Sequence, residues 1–315
     1  MVCITDPPRL PLIDLSLFDL GDPWRDQVAA QIDAASREFG FFCIVGHGID
    51  SSVVDPLLAA GSRFFSAEDA VKRRLQVEHH ARTRQGGFAP VEELAARCSG
   101  PKHLYFEAQL MLAGEPVNAS QSSPHQTFLP DVPGFREPVL DYMRSLTGLS
   151  HKLMAMVARG LRLEDSYFVD RCTGNPATSF RILNYPRVAD GCAAQDDAVS
   201  GHVEPGLLTI LKQDASGGLE ARYRERWLNL PALPNSFICA VGHALAHLTS
   251  ERYVAAAHRV RNSVQTHRLS MSFCFEPSLN ATLEPIAAGA PAAAHLALAG
   301  AAADAGAESG RRQIA

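Results

Sequence analysis

Hydrophobic positions change period once along the chain. "PLIDLSLF" (11–18) alternates like a short strand, and "PWRDQVAAQIDAASREFG" (23–40) repeats its apolar positions at helical spacing. Pro23 suits the first turn of that helix and Gly40 suits its stop. "FFCIV" reads as a buried strand closed by the turn "GHGI". "SVVDPLLAAGSRFF" reads as a helix that Ser51 can cap, starting near Pro56 because an interior proline loses a backbone bond. Residues 79–101, with "RTRQGGFAP", and 115–134, rich in Ser, Pro and Asn, read as loops. From Gly134 to about Arg171 the pattern is again helical, with its Leu and Met positions directed to a core.

Beyond Arg171 the period shortens to two. "TSFRILNYP", "LLTILKQD", "GGLEARY", "RWLNLP", "SFICAVG" and "RLSMSFCFEP" are short β-like segments between turn residues, the spacing of an antiparallel sandwich or barrel. The expected class is α+β with a mainly β core: a helix-rich region over 1–133, a helix plus β core over 134–286, and an Ala/Gly-rich tail over 287–315, helical or disordered.

Composition narrows the function. A chain of 315 residues, 46% hydrophobic and 20% charged, is long enough to bury a protected cavity. A net charge of −5 gives no electrostatic reason to expect nucleic acid, whose binding relies on clustered Lys and Arg. No stretch approaches the ~20 apolar residues of a membrane span, and "MVCITDPPRLPLIDL" lacks the basic and apolar segments of a secretion signal. The seven cysteines (3, 43, 98, 172, 192, 239, 274) form an odd set without C-x-x-C, several inside apolar runs. These are features of reduced thiols, and the expectation is a cytoplasmic protein acting on a small molecule.

Chemistry concentrates in "GHVEPGLLTILKQD" (201–214). His202 and Glu204, two apart, can project to one face of a strand, although H-x-[DE] alone is common. Downstream stand His258 and then Arg268 and Ser270, again two apart. Two histidines and a carboxylate on one side of a metal leave the opposite side open, which suits Fe(II) that must take a cosubstrate and O₂ together. An arginine with a neighbouring hydroxyl offers a two-pronged fork plus one donor to the remote carboxylate of a small dicarboxylic acid.

These segments, "PLIDLS", "GFFCIVGHGI", "RILNYP", "GHVEPGLLTILKQDASGGLEAR", "RWLNLP", "AHRV" and "HRLSMSFCFEP", resemble the isopenicillin N synthase-like group of Fe(II)- and 2-oxoglutarate-dependent dioxygenases. His258 lies 56 positions after His202, and Arg268 ten further, spacings typical of that family. The resemblance implies a double-stranded β-helix (jelly roll) with N-terminal helices, iron at His202, Glu204 and His258, and 2-oxoglutarate held by Arg268 and Ser270, with Tyr185 as a further contact. It implies oxidative decarboxylation of 2-oxoglutarate to succinate and CO₂, coupled to hydroxylation, desaturation or ring closure of a small organic substrate. Two other readings remain: an isopenicillin N synthase-type oxidase that dispenses with 2-oxoglutarate, and a non-catalytic binding protein with a degraded metal site.

The sequence departs from the family pattern at three points: Glu204 stands where Asp is usual, His243 where an Asp commonly follows the glycine, and "TSERY" replaces "TNG". Elsewhere, His47, His243 and His247 read as structural, and His79 and His80 as solvated. His267 is directed away from Arg268's face, and Phe275 suits either the substrate cavity or the core.

Overall fold

A computed structural model describes residues 10–73, 87–90, 108–113, 134, 136–185, 197–261 and 268–286. The expectations for His79, His80, His267, Cys3, Cys98, Cys192, most of the two loops and the tail lie outside these residues. Strands β1 (Leu12–Asp14), β2 (Phe41–Val45), β3 (Gly87–Pro90), β4 (Ala108–Ala113), β5 (Ala177–Tyr185), β7 (Leu208–Gln213), β10 (Phe237–Val241) and β12 (Arg268–Glu276) form an eight-stranded sheet in the order β1-β2-β10-β7-β12-β5-β4-β3. Strands β6 (Asp197–His202), β8 (Leu219–Tyr223), β9 (Arg226–Asn229) and β11 (His258–Arg261) form a second sheet ordered β6-β11-β8-β9. Helices α1 (Asp22–Glu38), α2 (Ser51–Phe65), α3 (Asp69–Arg73), α4 (Arg136–Gly160) and α5 (His243–Leu248) complete the described elements. This is the expected jelly roll with N-terminal helices, although β1 and β2 belong to the large sheet itself.

The alternation along β5 and β12 separates two environments. Phe180 and Ile182 on β5, with Leu269, Met271, Phe273 and Phe275 on β12, join one core with Leu57 and Phe64 of α2 and Tyr142, Leu146, Leu149 and Leu153 of α4. The alternate residues, Ser179, Arg181, Leu183 and Tyr185 on β5 and Arg268, Ser270, Ser272 and Cys274 on β12, share the opposite face. On that face a smaller cluster of Phe41, Tyr185, Leu219, Ala221, Ile238, Ala240 and Val260 joins the two sheets. Phe275 is therefore core, its ring 5.1 Å from that of His151 in an edge-on contact, and does not reach the substrate cavity.

Several boundaries differ from the sequence reading. The first strand stops at Asp14, whose carboxylate accepts from the Ser16 amide and turns the chain into a 3₁₀ helix over Leu15–Leu20. Helix α2 starts at Ser51, capped by the Asp50 carboxylate on the Ser52 amide, and Pro56 is inside it. An effective cap outweighs the single backbone bond that the proline omits near the start. Helix α4 stops at Gly160, after which Arg162 takes a left-handed φ of 62°; a separate π-helical turn spans Val169–Thr173. Strands β3, β4, β6 and β11 were not separate expectations, and β3 falls within residues read as loop.

Glycines permit the close approach that positions the site. A Cβ on Gly242 would run into the Gly206 carbonyl oxygen and lie 3.2 Å from that of Glu204. Gly242→Ala should therefore lower unfolding free energy by about 1–3 kcal/mol, the usual cost of forcing an extra carbon into a packed interior, as chemical denaturation would read. A Gly242→Ala protein as stable as the parent would show that this loop yields freely.

Candidate active site

His202 ends β6, and Glu204 follows in the link to β7, so the pair does not share a strand. Antiparallel pairing of β6 with β11 instead sets His258 directly opposite His202, with ring centroids 4.2 Å apart. Glu204 turns back between them: its Oε1 lies 3.4 Å from His258 Nε2 and 4.0 Å from His202 Nε2. One donor atom from each of the three residues falls within 4.8 Å of the other two. The link is fixed from behind by α5, where the His243 amide donates to the Glu204 carbonyl (2.7 Å) and the Ala244 amide to those of Pro205 and Gly206 (3.1 Å each). His243 thus serves through its backbone and His247 lies in the same short helix, neither among the metal-competent group.

The donor set fits a divalent iron. His258 is 4% exposed, its Nδ1 has no hydrogen-bond partner, and its ring stands edge-on to Phe41 at 5.6 Å. Burial, and then the neighbouring His202, push the His258 imidazole well below its ordinary pKa, so it is neutral and keeps a lone pair to donate. The His202 side chain, by contrast, is 45% exposed, so the group is closed by β11 and open on the side of β6.

The second half of the site is a buried arginine. Arg268 is 2% exposed; its Nε donates to the Gly217 carbonyl (2.5 Å), its Nη2 to Gln213 Oε1 (3.4 Å), and its Cζ sits 4.5 Å above the Tyr185 ring. Its Nη1, equally buried, has no partner. Burial raises the Tyr185 phenol, opposed by the Arg268 charge and by side-chain hydrogen bonds with Ser270 and Arg268. Tyr185 therefore touches both of the residues expected to act with it. Gln213, which the sequence reading passed over, braces them: it also accepts from the Leu219 amide and donates to the Leu230 carbonyl. Its only sequence signal was strand parity, two residues beyond the inward Leu211. Gly218, at φ +87°, passes so close to Arg261 that a Cβ would lie 2.6 Å from that residue's carbonyl oxygen. His47 lies elsewhere, its Nδ1 accepting from the Ile49 amide and its Nε2 meeting the Asn235 carbonyl, the turn-fixing part expected of it.

A jelly roll holding two imidazoles, one carboxylate and a buried guanidinium with a spare donor defines a non-haem iron enzyme that binds an acidic cosubstrate. Comparison with known proteins agrees. Residues 177–277 match the 2OG-Fe(II) oxygenase superfamily, and residues 10–127 match the N-terminal region described as non-haem dioxygenase in morphine synthesis. A probable iron/ascorbate oxidoreductase of Dictyostelium discoideum is 30% identical over 298 residues, covering 86% of this chain and 82% of the relative. A 2-oxoglutarate-dependent dioxygenase of Monascus ruber is 28% identical, covering 88% and 87%. The Arabidopsis thaliana dioxygenase for auxin oxidation, solved as a complex with 2-oxoglutarate, superposes with a TM-score of 0.67 at 22% identity, covering 88% of this chain and 96% of that one. The chain belongs to the 2OG-Fe(II) oxygenase superfamily. It is an enzyme whose cofactors are Fe(II) and 2-oxoglutarate, and the oxidase and binding-protein readings are not favoured. Among the described residues no helix is long and apolar enough to cross a membrane.

Proposed function

We propose that His202, Glu204 and His258 are the iron ligands, that Arg268, Ser270 and Tyr185 hold the far carboxylate of 2-oxoglutarate, and that a cytoplasmic enzyme uses them to hydroxylate a small organic substrate, with desaturation or ring closure as variants. The observation that carries this reading is the convergence of one donor atom from each triad residue within 4.8 Å. When bound, iron and 2-oxoglutarate supply the oxidising chemistry: 2-oxoglutarate is decarboxylated to succinate and CO₂, one oxygen atom of O₂ entering succinate and the other being available to the substrate.

The chain's own contribution is orientation and exclusion of water. Burial keeps His258 unprotonated, the β6–β11 register sets the two rings, and the α5 backbone bonds aim Glu204. The fork of Arg268 needs an acceptor for Nη1, and a carboxylate supplies it with charge. Phe41, Leu219 and Val260 pack with Tyr185 into the apolar cluster between the two sheets, and such carbon surroundings keep solvent from reactive species. The division into 1–133, 134–286 and a tail is one of chain order, because β2 of the first region pairs with β10 of the second.

The direct test is succinate production by purified protein with and without Fe(II) and 2-oxoglutarate; turnover of substrate without succinate would revive the oxidase. Glu204→Asp should weaken Fe(II) binding about tenfold to a hundredfold although Asp is the commoner ligand, because a loop pinned by three backbone bonds to α5 does not follow the shorter side chain. Glu204→Ala should retain little activity. Calorimetric titration of Fe(II) under anaerobic conditions reads the effect, and identical affinities in all three proteins would remove Glu204 from the site.

A further inference from the structure

The inner face of β5 carries a second cation that neither iron nor 2-oxoglutarate employs. Arg181 lies four residues before Tyr185 on the same strand face, opposite Ser272 of β12. Four strand residues span about 13 Å, too far for Arg181 to share the carboxylate at Arg268. Its Nε is buried without a hydrogen-bond partner, and no acid pairs with its guanidinium among the described residues.

Its neighbourhood faces the metal. The buried Cys274, two residues from Ser272 on the same face, senses Glu204 and Arg181 together: after burial, which pushes its thiol up to about 11, the Glu204 carboxylate raises it, the Arg181 guanidinium lowers it, and Glu276, next along the same face, raises it again while a hydrogen bond with Ser179 lowers it. Arg181 therefore stands on the triad's side of the sheet, beside a neutral thiol and the hydroxyls of Ser179 and Ser272. The residue as a whole is only half-buried, so its guanidinium stays reachable, and a buried N–H left unpaired calls for a partner.

We propose that Arg181 is the substrate-anchoring residue, and that the substrate is a small monocarboxylate whose acid group docks on this guanidinium and leaves its carbon chain over the iron. The inference rests on the oxygenase reading above and names its substrate class. A monoanion is chosen over a phosphate or a diacid because Arg181 is the one cation offered here among the described residues, the carboxylates of Glu204 and Glu276 nearby oppose further negative charge, and Arg268 is committed at the other end of the strand. The planar fork also matches a carboxylate in two-point geometry.

The test uses the full chain loaded anaerobically with Fe(II) and 2-oxoglutarate. Aliphatic and aromatic monocarboxylic acids, each paired with its methyl ester, are titrated while the visible charge-transfer band of the complex is followed. The parent should bind at least one acid and prefer it over its ester; Arg181→Gln should lose about tenfold to a hundredfold of that affinity, and Arg181→Lys less. Its 2-oxoglutarate affinity, measured in the same cell, should move far less than its acid affinity. Thermal melts of both variants show whether each is folded. The proposal is overturned if no acid binds the parent, if acids and esters bind alike, or if a folded Arg181→Gln protein keeps the acid affinity. Failure of the parent to bind 2-oxoglutarate would strike the oxygenase reading itself, which the acid titrations alone do not touch.

Discussion

His258→Ala is expected to abolish Fe(II)-dependent consumption of 2-oxoglutarate, by more than about a hundredfold, while the protein stays folded. The two consequences separate because the ring does two things of unequal weight. As packing it is an edge contact with Phe41 and a tilted contact with the His202 ring at the margin of the smaller cluster, and truncating such a side chain costs about 1–2 kcal/mol, a few degrees of melting temperature in a domain this size. As a donor it supplies the buried corner of the triad, directly opposite His202 in the β6–β11 register. With it gone, only His202, on the exposed side, and Glu204 remain of the three. Iron stoichiometry by colorimetry, succinate yield and a melting curve on the same preparation check the expectation. Full activity without His258 would remove the metal assignment.

Arg268→Lys is expected to raise the 2-oxoglutarate requirement by tenfold to more than a hundredfold. A lysine keeps the charge but loses the fork, the bond to the Gly217 carbonyl in its present direction, and the planar face that lies 4.5 Å over Tyr185. Loss of a charge-assisted bond to a carboxylate costs about 1.5–3 kcal/mol, which sets that range. The ammonium would also remain buried where Arg268 is 2% exposed, with the Gly217 carbonyl and Gln213 Oε1 as neutral acceptors. Binding of 2-oxoglutarate by calorimetry, set against the KM for 2-oxoglutarate, tests the point; unchanged affinity would mean that Arg268 is a structural cation and that the diacid docks elsewhere.

Period and chemistry were legible in the sequence to different depths. The long amphipathic helix at 23–40 and the apolar runs "FFCIV" and "SFICAVG" announced themselves because many residues vote for one period, and each forms close to where it was expected. β11, with four residues, holds too few votes for alternation to emerge, yet its pairing with β6 is what brings the histidines together. The triad was readable as residue types at family spacing, but its geometry was not. His202 and Glu204 were read as able to point into one barrel mouth whether or not a strand held both; the strand ends at His202, the next begins at Leu208, and the carboxylate returns from a link held by α5. Gln213 and Arg181 escaped for a further reason. Each sits in an alternating strand where a polar residue looks like the solvent side, and only the covering of the opposite face by helices shows that the polar side is the inside.

That inversion of β5 and β12 bears on how such an enzyme can diversify. Odd positions of β12 and even positions of β5 bind the sheet to α2 and α4, and the stability of the large core is vested there. Their neighbours one residue away share the opposite face and are not part of that core, so Arg181, Ser179, Ser272 or Cys274 can be exchanged for residues of other charge or size while the helix-facing register stays as it is. Exchanges on that face leave the helix-facing register of the sheet untouched, so a new charge or size there need not lower the stability of the large core.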